Sequence, residues 1–306
     1  MSNHNHNHSH AHDVSNVKGI NLLITMLLNF AITVAEVIGG IYSGSLSLMS
    51  DALHNLSDAL SIVVSYFAIK ISQKSNDEKR TFGYKRSTIL AAVINSTVLI
   101  FISLFLFKEA YFKFIKPEKI NGVIVIWVAL IGLLANTFGA YLLNRGSHED
   151  MNMKSTYLHL ISDALSSLGV IVGGIVIYYF NIYWIDPLLT IIIGIYVLKE
   201  SYEILKQAVN LLMQGVPENI NIHELVEELQ EIDGIKNVHH VHIWGLNENN
   251  IFFEAHVNLK QDILISEAAR IYENIEHELK EHFGISHITI QFEYNCCDSA
   301  GVVANE

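Results

Sequence analysis

Six stretches of the chain are apolar for long enough to matter, running from about Ile20 to Tyr42, Leu46 to Ile71, Ser87 to Phe107, Val123 to Asn144, Ser155 to Tyr179 and Ile185 to Leu212. A bilayer core of about 30 Å takes about 20 helical residues, so each stretch is predicted to be a membrane-spanning helix. Gly215-Val216-Pro217 then interrupts the pattern, since Gly ends helices and Pro does not continue them. Beyond it the period changes. Asn221 to Ile232 and Ile265 to Phe283 read as amphipathic helices, while Val238 to Trp244, Phe252 to Leu259 and His287 to Tyr294 alternate as strands.

Composition agrees with that division. Of 306 residues 51% are hydrophobic and 16% charged, too apolar a balance for a soluble domain of this length. The expected fold is a polytopic α-helical membrane protein with six transmembrane helices, followed by a C-terminal α+β ferredoxin-like cytosolic domain with its helices on one face of a small sheet. Four regions follow: a His-rich disordered tail over 1–17, the transmembrane domain over 18–214, the cytosolic domain over 215–294 and a C-terminal tail over 295–306. The net charge of −12 is concentrated at one end. Residues 1–214 hold 15 Lys and Arg against 14 Asp and Glu, whereas residues 215–306 hold 4 against 17. Such an acidic tail argues against nucleic acid, which needs a basic surface.

Orientation comes from the basic residues near the spans. Lys18, Lys70, Lys74, Lys79, Arg80, Lys85, Arg86, Arg145 and Lys154 fall on the side of the termini, against Lys108, Lys113, Lys116 and Lys119 in one opposite loop. The positive-inside bias puts both termini in the cytoplasm. Cys296 and Cys297 are the only cysteines and are adjacent, so no disulfide framework is implied and a reduced tail fits. The N-terminus lacks a cleavable secretory signal, so the first helix is expected to be retained.

Ionisable groups inside a membrane are costly and usually line a cavity, pair or bind something. Asn21, Thr25, Asn29, Thr33 and Glu36 fall on one face of the first span. Two readings stand for Asn29 and Glu36: a polar seam between helices or a water-filled access path. The second span carries Ser47, Asp51, His54, Asp58, Ser61 and Ser65 as one stripe. His54 and Asp58, one turn apart, can converge on one point. The fifth span repeats the motif, with His54-Asn55-Leu56-Ser57-Asp58-Ala59-Leu60-Ser61 matched by His159-Leu160-Ile161-Ser162-Asp163-Ala164-Leu165-Ser166. Two imidazoles and two carboxylates make a tetrahedral zinc site with ligands at about 2.0 to 2.2 Å. Neutral imidazole binds metal only while deprotonated, so release can be linked to proton uptake. Glue between helices is the competing role for the quartet; Asp51 is either path-lining or hydrogen-bonded structure.

These paired HxxxD motifs, the six spans and the Trp244-containing first strand resemble the cation diffusion facilitator family, and its zinc/cadmium/cobalt efflux branch in particular. The resemblance covers nearly the whole chain. It implies a homodimer in the plasma membrane, not an enzyme, that exports cytosolic Zn²⁺ or Cd²⁺ in exchange for H⁺, with His54, Asp58, His159 and Asp163 as the transport site. A His-Asp/His-Asp quartet goes with zinc in this family, and hard metals prefer all-oxygen sites. Tyr84 stands where certain relatives have a loop histidine, which argues against an additional site between the second and third spans. The short Arg145 to Lys154 connection holds only His148, unlike the long His-rich loop of many vesicular members, and so favours a bacterial plasma-membrane protein.

By position, the family's cytosolic zinc site resembles His239, His256 and Glu293, with Cys296 and Cys297 as soft ligands beside them; solvated surface histidines are the plain alternative. Gln291 occupies a place that is His in some relatives. Strand alternation would point His240 and His242 away from His239. His4, His6, His8, His10 and His12 form a tract suited to loose metal capture. Zn²⁺ is expected as substrate and as a cytosolic regulatory ion, and no organic cofactor is implied. Competing functions are export of mainly Co²⁺ or Fe²⁺, a non-transporting membrane metal sensor, and an intramembrane zinc hydrolase, which the lack of an HExxH motif disfavours.

Overall fold

In a computed structural model of the chain, residues 10–144, 151–247, 250–297 and 301–303 are described, without the side chains of 10–23, 26, 58, 62 and 151–156. Two compact units emerge, Met1–Val64 with Ile94–Glu203, and Ser65–Val93 with Ile204–Glu306. The division crosses three long helices.

The first unit is built from α1 (His10–Ser43), α2 (Leu46–Ser72), α3 (Ser87–Ile115), α4 (Gly122–Asn144), α5 (Met151–Phe180) and α6 (Ile185–Leu212), whose far ends of α2, α3 and α6 belong to the second unit. All six expected stretches are helical. Among the described residues, four helices are long and apolar enough to cross a membrane: α2, α3, α4 and the Tyr157–Phe180 part of α5. The apolar part described for α1 is the shorter Leu27–Ser43, and α6 carries Lys199, Glu200, Glu203 and Lys206. Backbone helix begins at His10, so it already includes part of the tract expected to lack structure. Elongation adds one hydrogen bond per residue once a helix is nucleated, which lets a long apolar helix extend into polar sequence.

Polarity in this unit is inverted relative to a water-soluble bundle. Leu27, Phe101, Trp127, Tyr141 and Leu165 are exposed, while Thr33, Glu36, Asp51, Asn55, Asn136 and Asp163 are buried. That arrangement suits hydrocarbon outside and polar contacts between helices inside. Close approach depends on small residues, since α4 buries Gly122, Ala129, Gly132, Gly139 and Ala140 along one face. A Cβ at Gly122 would come within 2.8 Å of the Gly174 carbonyl oxygen of α5.

Asp186, in the first turn of α6, is buried and caps the N-terminus of α2. Its Oδ2 accepts from the Leu46 amide at 2.7 Å; its Oδ1 accepts from the Ser45 and Ser47 hydroxyls at 2.5 and 2.6 Å and from the Ser47 amide at 3.2 Å. The first amides of a helix have no intrahelical acceptor, and a carboxylate there also meets the positive end of the dipole.

In the second unit, α7 (Ile222–Glu231) and α8 (Ile265–Glu281) accompany β1 (Ile235–Asn247), β2 (Asn250–Leu259) and β3 (His287–Tyr294). β1 and β2 pair antiparallel; α8 is the crossover that lets β3 run parallel to β2. Leu225, Leu229, Ile235, Phe253, Val257, Ile275, Leu279 and Ile285 form the core, which fixes the faces of both helices. The predicted order of helix, strand, strand, helix, strand is the order found.

The β1–β2 register shifts at three places, and one of them bears on the candidate site. The register of β1 against β2 slips between His239 and His242, and His240 has φ of 52°. This is a β-bulge, and it re-aims the side chain. The expectation that His240 turns away from the His239 site is therefore corrected: its ring stacks on His256 with centroids 4.7 Å apart.

Candidate metal centres

Within the first unit, α2 and α5 bring the two HxxxD motifs face to face. His54 Nε2 lies 4.0 Å from Asp163 Oδ1, and His159 Nε2 lies 3.3 Å from Asp163 Oδ2. The imidazole centroids are 5.8 Å apart. One donor atom from each of His54, His159 and Asp163 falls within 4.8 Å of the others. Asp163 is buried and thus unable to spread its charge into water, whereas His159 keeps about a third of its side chain accessible. Asp58 follows His54 by one turn of α2, but its side chain lies outside the described residues. Three atoms of the expected donor chemistry thus converge.

A polar layer surrounds the cluster. Asp51, three residues before His54, accepts from the Ser166 hydroxyl at 2.8 Å and from the Ser167 hydroxyl at 3.5 Å, which ties α2 to α5. Asn55, next to His54, donates to Glu36 Oε2 at 3.0 Å, which ties α2 to α1. Gly132 of α4 is needed there, because a Cβ would approach Glu36 Oε1 to 2.9 Å. Among the described residues the buried Asn29 Oδ1 has no hydrogen-bond partner. Asn55, Ser167 and Gly132 were not singled out by sequence; the step of one between Ser166 and Ser167 does not match the helical stripe that marked the others.

The second unit holds a cluster of the same composition. Glu293 on β3 reaches His256 Nδ1 at 2.9 Å and His239 Nε2 at 3.3 Å. Register makes this possible: His239 is opposite His256 on β1 and β2, and β3 runs alongside with Gln291 opposite His256. His239 Nε2 and Glu293 Oε2 are buried 3.3 Å apart and, among the described residues, neither has a hydrogen-bond partner. Three ligands on rigid strands fit a zinc-sized cation.

One donor atom from each of Glu293, Cys296 and Cys297 lies within 4.8 Å of the others. The Cys296 and Cys297 sulfurs lie side by side. Asn258 donates to the Cys296 carbonyl at 2.6 Å, which holds this segment to β2. His282 pairs with Glu278 at 2.8 Å and Glu228 at 3.3 Å on the surface. Of the N-terminal histidines, His4, His6 and His8 lie outside the described residues, and His10 and His12 contribute backbone only.

Comparison with known proteins bears on both clusters. A family profile described as "Cation efflux transmembrane domain" matches residues 22–213, and one described as "Cation efflux protein, cytoplasmic domain" matches residues 217–295. The chain is 39% identical over 274 residues to the "Cadmium, cobalt and zinc/H(+)-K(+) antiporter" of Bacillus subtilis (strain 168), covering 89% of this chain and 88% of the relative. It is 37% identical to the "Zinc transporter ZitB" of Pectobacterium atrosepticum, with 90% and 86% covered. Against the "Metal cation efflux system protein CzcD" of Cupriavidus metallidurans it is 34% identical, with 92% and 88% covered.

Proposed function

The chain belongs to the cation efflux family, and from that premise we propose that it exports Zn²⁺, and Cd²⁺ with it, from the cytoplasm in exchange for H⁺ through His54, Asp58, His159 and Asp163. The observation that carries this reading is the convergence of His54, His159 and Asp163 donor atoms from two helices. Mixed nitrogen and oxygen donors suit Zn²⁺ and disfavour the harder Mg²⁺ and Mn²⁺. Asp163 supplies charge neutralisation and the imidazoles supply release. When His54 and His159 take up protons they lose their lone pairs as ligands, so the ion leaves towards the acidic side. Asp51, Asn29 and Glu36 are read as lining or bracing the approach.

In this proposal six helices cross the plasma membrane with both termini cytoplasmic, and the C-terminal unit is ferredoxin-like and pairs in a homodimer. Zn²⁺ held by His239, His256 and Glu293, with Cys296 and Cys297 adjoining when reduced, regulates transport by drawing the two cytoplasmic domains together. The histidine tract from His4 to His12 collects metal for delivery. Cobalt stands as a second substrate because the Bacillus subtilis relative's name includes it.

Purified protein in vesicles tests the reading. Zn²⁺ flux is expected to rise with an imposed proton gradient, and a K⁺ gradient imposed alone separates the two counter-ions named for that relative. Absence of Zn²⁺ and Cd²⁺ flux under both gradients would remove the proposal.

A further inference from the structure

The connection between α2 and α3 forms one wall of a cavity that zinc chemistry does not use. The cavity measures about 350 Å³ and is lined by Lys79, Arg80, Phe82 and Arg86 of the connection and by Trp244 and Leu246 of β1, all in the second unit. Phe82 packs edge-on to Phe252 with centroids 5.4 Å apart, Trp244 stacks on Phe252 at 5.5 Å, and Lys85 donates to Asn250 at 3.2 Å. The walls are thus held by both the connection and the hairpin.

Its charge is one-sided. Among the described residues no carboxylate lies within ion-pair distance of Lys79, Arg80 or Arg86. Glu78 adjoins Lys79 in sequence and is exposed; Asp77 Oδ1 accepts the amides of Lys79 and Arg80 at 2.8 Å, and its Oδ2 accepts from the Tyr84 hydroxyl at 3.4 Å. Tyr84 positions Arg80, whose guanidinium lies over the ring at 4.7 Å and donates to the hydroxyl at 3.1 Å. Among the described residues the buried Nε–H of Arg86 has no acceptor. A buried guanidinium N–H without an acceptor, in a cavity rimmed by two further cations, lacks an anion with several oxygens.

We propose that this cavity binds the phosphate headgroup of an anionic phospholipid, with Arg86, Arg80 and Lys79 on the phosphate and Phe82 and Trp244 beside its glycerol and first acyl carbons. The lipid source is favoured over a free phosphate by position. The connection directly joins two helices apolar enough to cross a membrane, and Lys70 and Lys74 add charge at the end of the first of them. Clustered Lys and Arg immediately beside a span, with an interfacial Trp, make the pattern of headgroup recognition. A bound lipid would then touch both the connection and the β1 strand that carries His239.

The test uses full-length protein, delipidated in detergent, and measures the melting temperature and retained lipid by native mass spectrometry. Phosphatidylglycerol, phosphatidylcholine and inorganic phosphate are the three additions. Phosphatidylglycerol is expected to raise the melting temperature and to be retained, with affinity falling about fivefold for each of Lys79→Gln and Arg86→Gln. Lys79→Gln alters an exposed side chain and so keeps the test open if Arg86→Gln fails to fold. Equal protection by phosphatidylcholine, equal protection by inorganic phosphate, or an unchanged phosphatidylglycerol response in both variants would overturn the assignment. The assignment rests only on α2 and α3 crossing the membrane; Zn²⁺ flux by the same preparations reports separately on the transport reading.

Discussion

Two clusters in one chain share a donor set of two histidines and one carboxylate, yet they are built on opposite backbones. His54, His159 and Asp163 stand on two helices joined by side-chain contacts. His239, His256 and Glu293 stand on three strands whose register is fixed by main-chain hydrogen bonds. Helices that touch through side chains can slide or tilt by an ångström or two, whereas neighbouring strands cannot shift without breaking the ladder. Under the proposed function, the first cluster carries an ion and the second keeps one although the ligand types are the same, so the difference between them would lie in the backbone beneath the ligands.

The largest expected effect comes from removing the shared carboxylate of each cluster. Asp163→Ala is expected to reduce Zn²⁺ flux to the level of empty vesicles, while Glu293→Ala should leave flux within several-fold of the parent and instead lower the zinc retained after dialysis. Equal loss of flux in the two variants would end the distinction between a carrying and a keeping site. Next in size, Asp186→Ala removes an acceptor from two amides and two hydroxyls at the α2 terminus. A loss of about 1–2 kcal/mol is expected, the scale of a lost helix cap, read as a lower melting temperature. Gly132→Ala forces a methyl group against the Glu36 carboxylate. It should destabilise by about 1–3 kcal/mol, and a neutral outcome would mean that α1 and α4 separate readily. The smallest effect sharpens the sheet side: His240→Ala loses the stack on His256, worth about 0.5–1.5 kcal/mol, and should weaken zinc retention slightly, while His242→Ala leaves it unchanged.

The helices and strands were legible because their periods are long and consistent, and α7, α8 and the three strands fall where alternation put them. The approach of His54 to His159 and Asp163 was legible because one eight-residue phrase recurs with six positions unchanged. What stayed hidden has a common cause, which is dependence on partners distant in sequence or on a single inserted residue. Asp186 reads as a polar residue opening the last span; nothing local says that it caps a helix 140 residues earlier. Asn55 reads as filler inside the motif until Glu36 is seen beside it. The bulge at His240 adds one residue to β1 without disturbing the apolar pattern, so alternation assigned the ring to the wrong face. His10 and its neighbours looked like tail because composition is read residue by residue, whereas helix growth is cooperative.

The cap on α2 also sets a fulcrum. With Leu46 and Ser47 tied to Asp186, that end of the helix is the pivot, and His54 sits seven residues along, an arm of about 10 Å at 1.5 Å per residue. A tilt of roughly 10° about the pivot would swing the imidazole through about 2 Å, as much as the whole length of a zinc–nitrogen bond. In the proposed carrier a small rocking of one pinned rod would therefore be enough to open or close the grip on the ion, and the arc widens for every residue farther from the pivot.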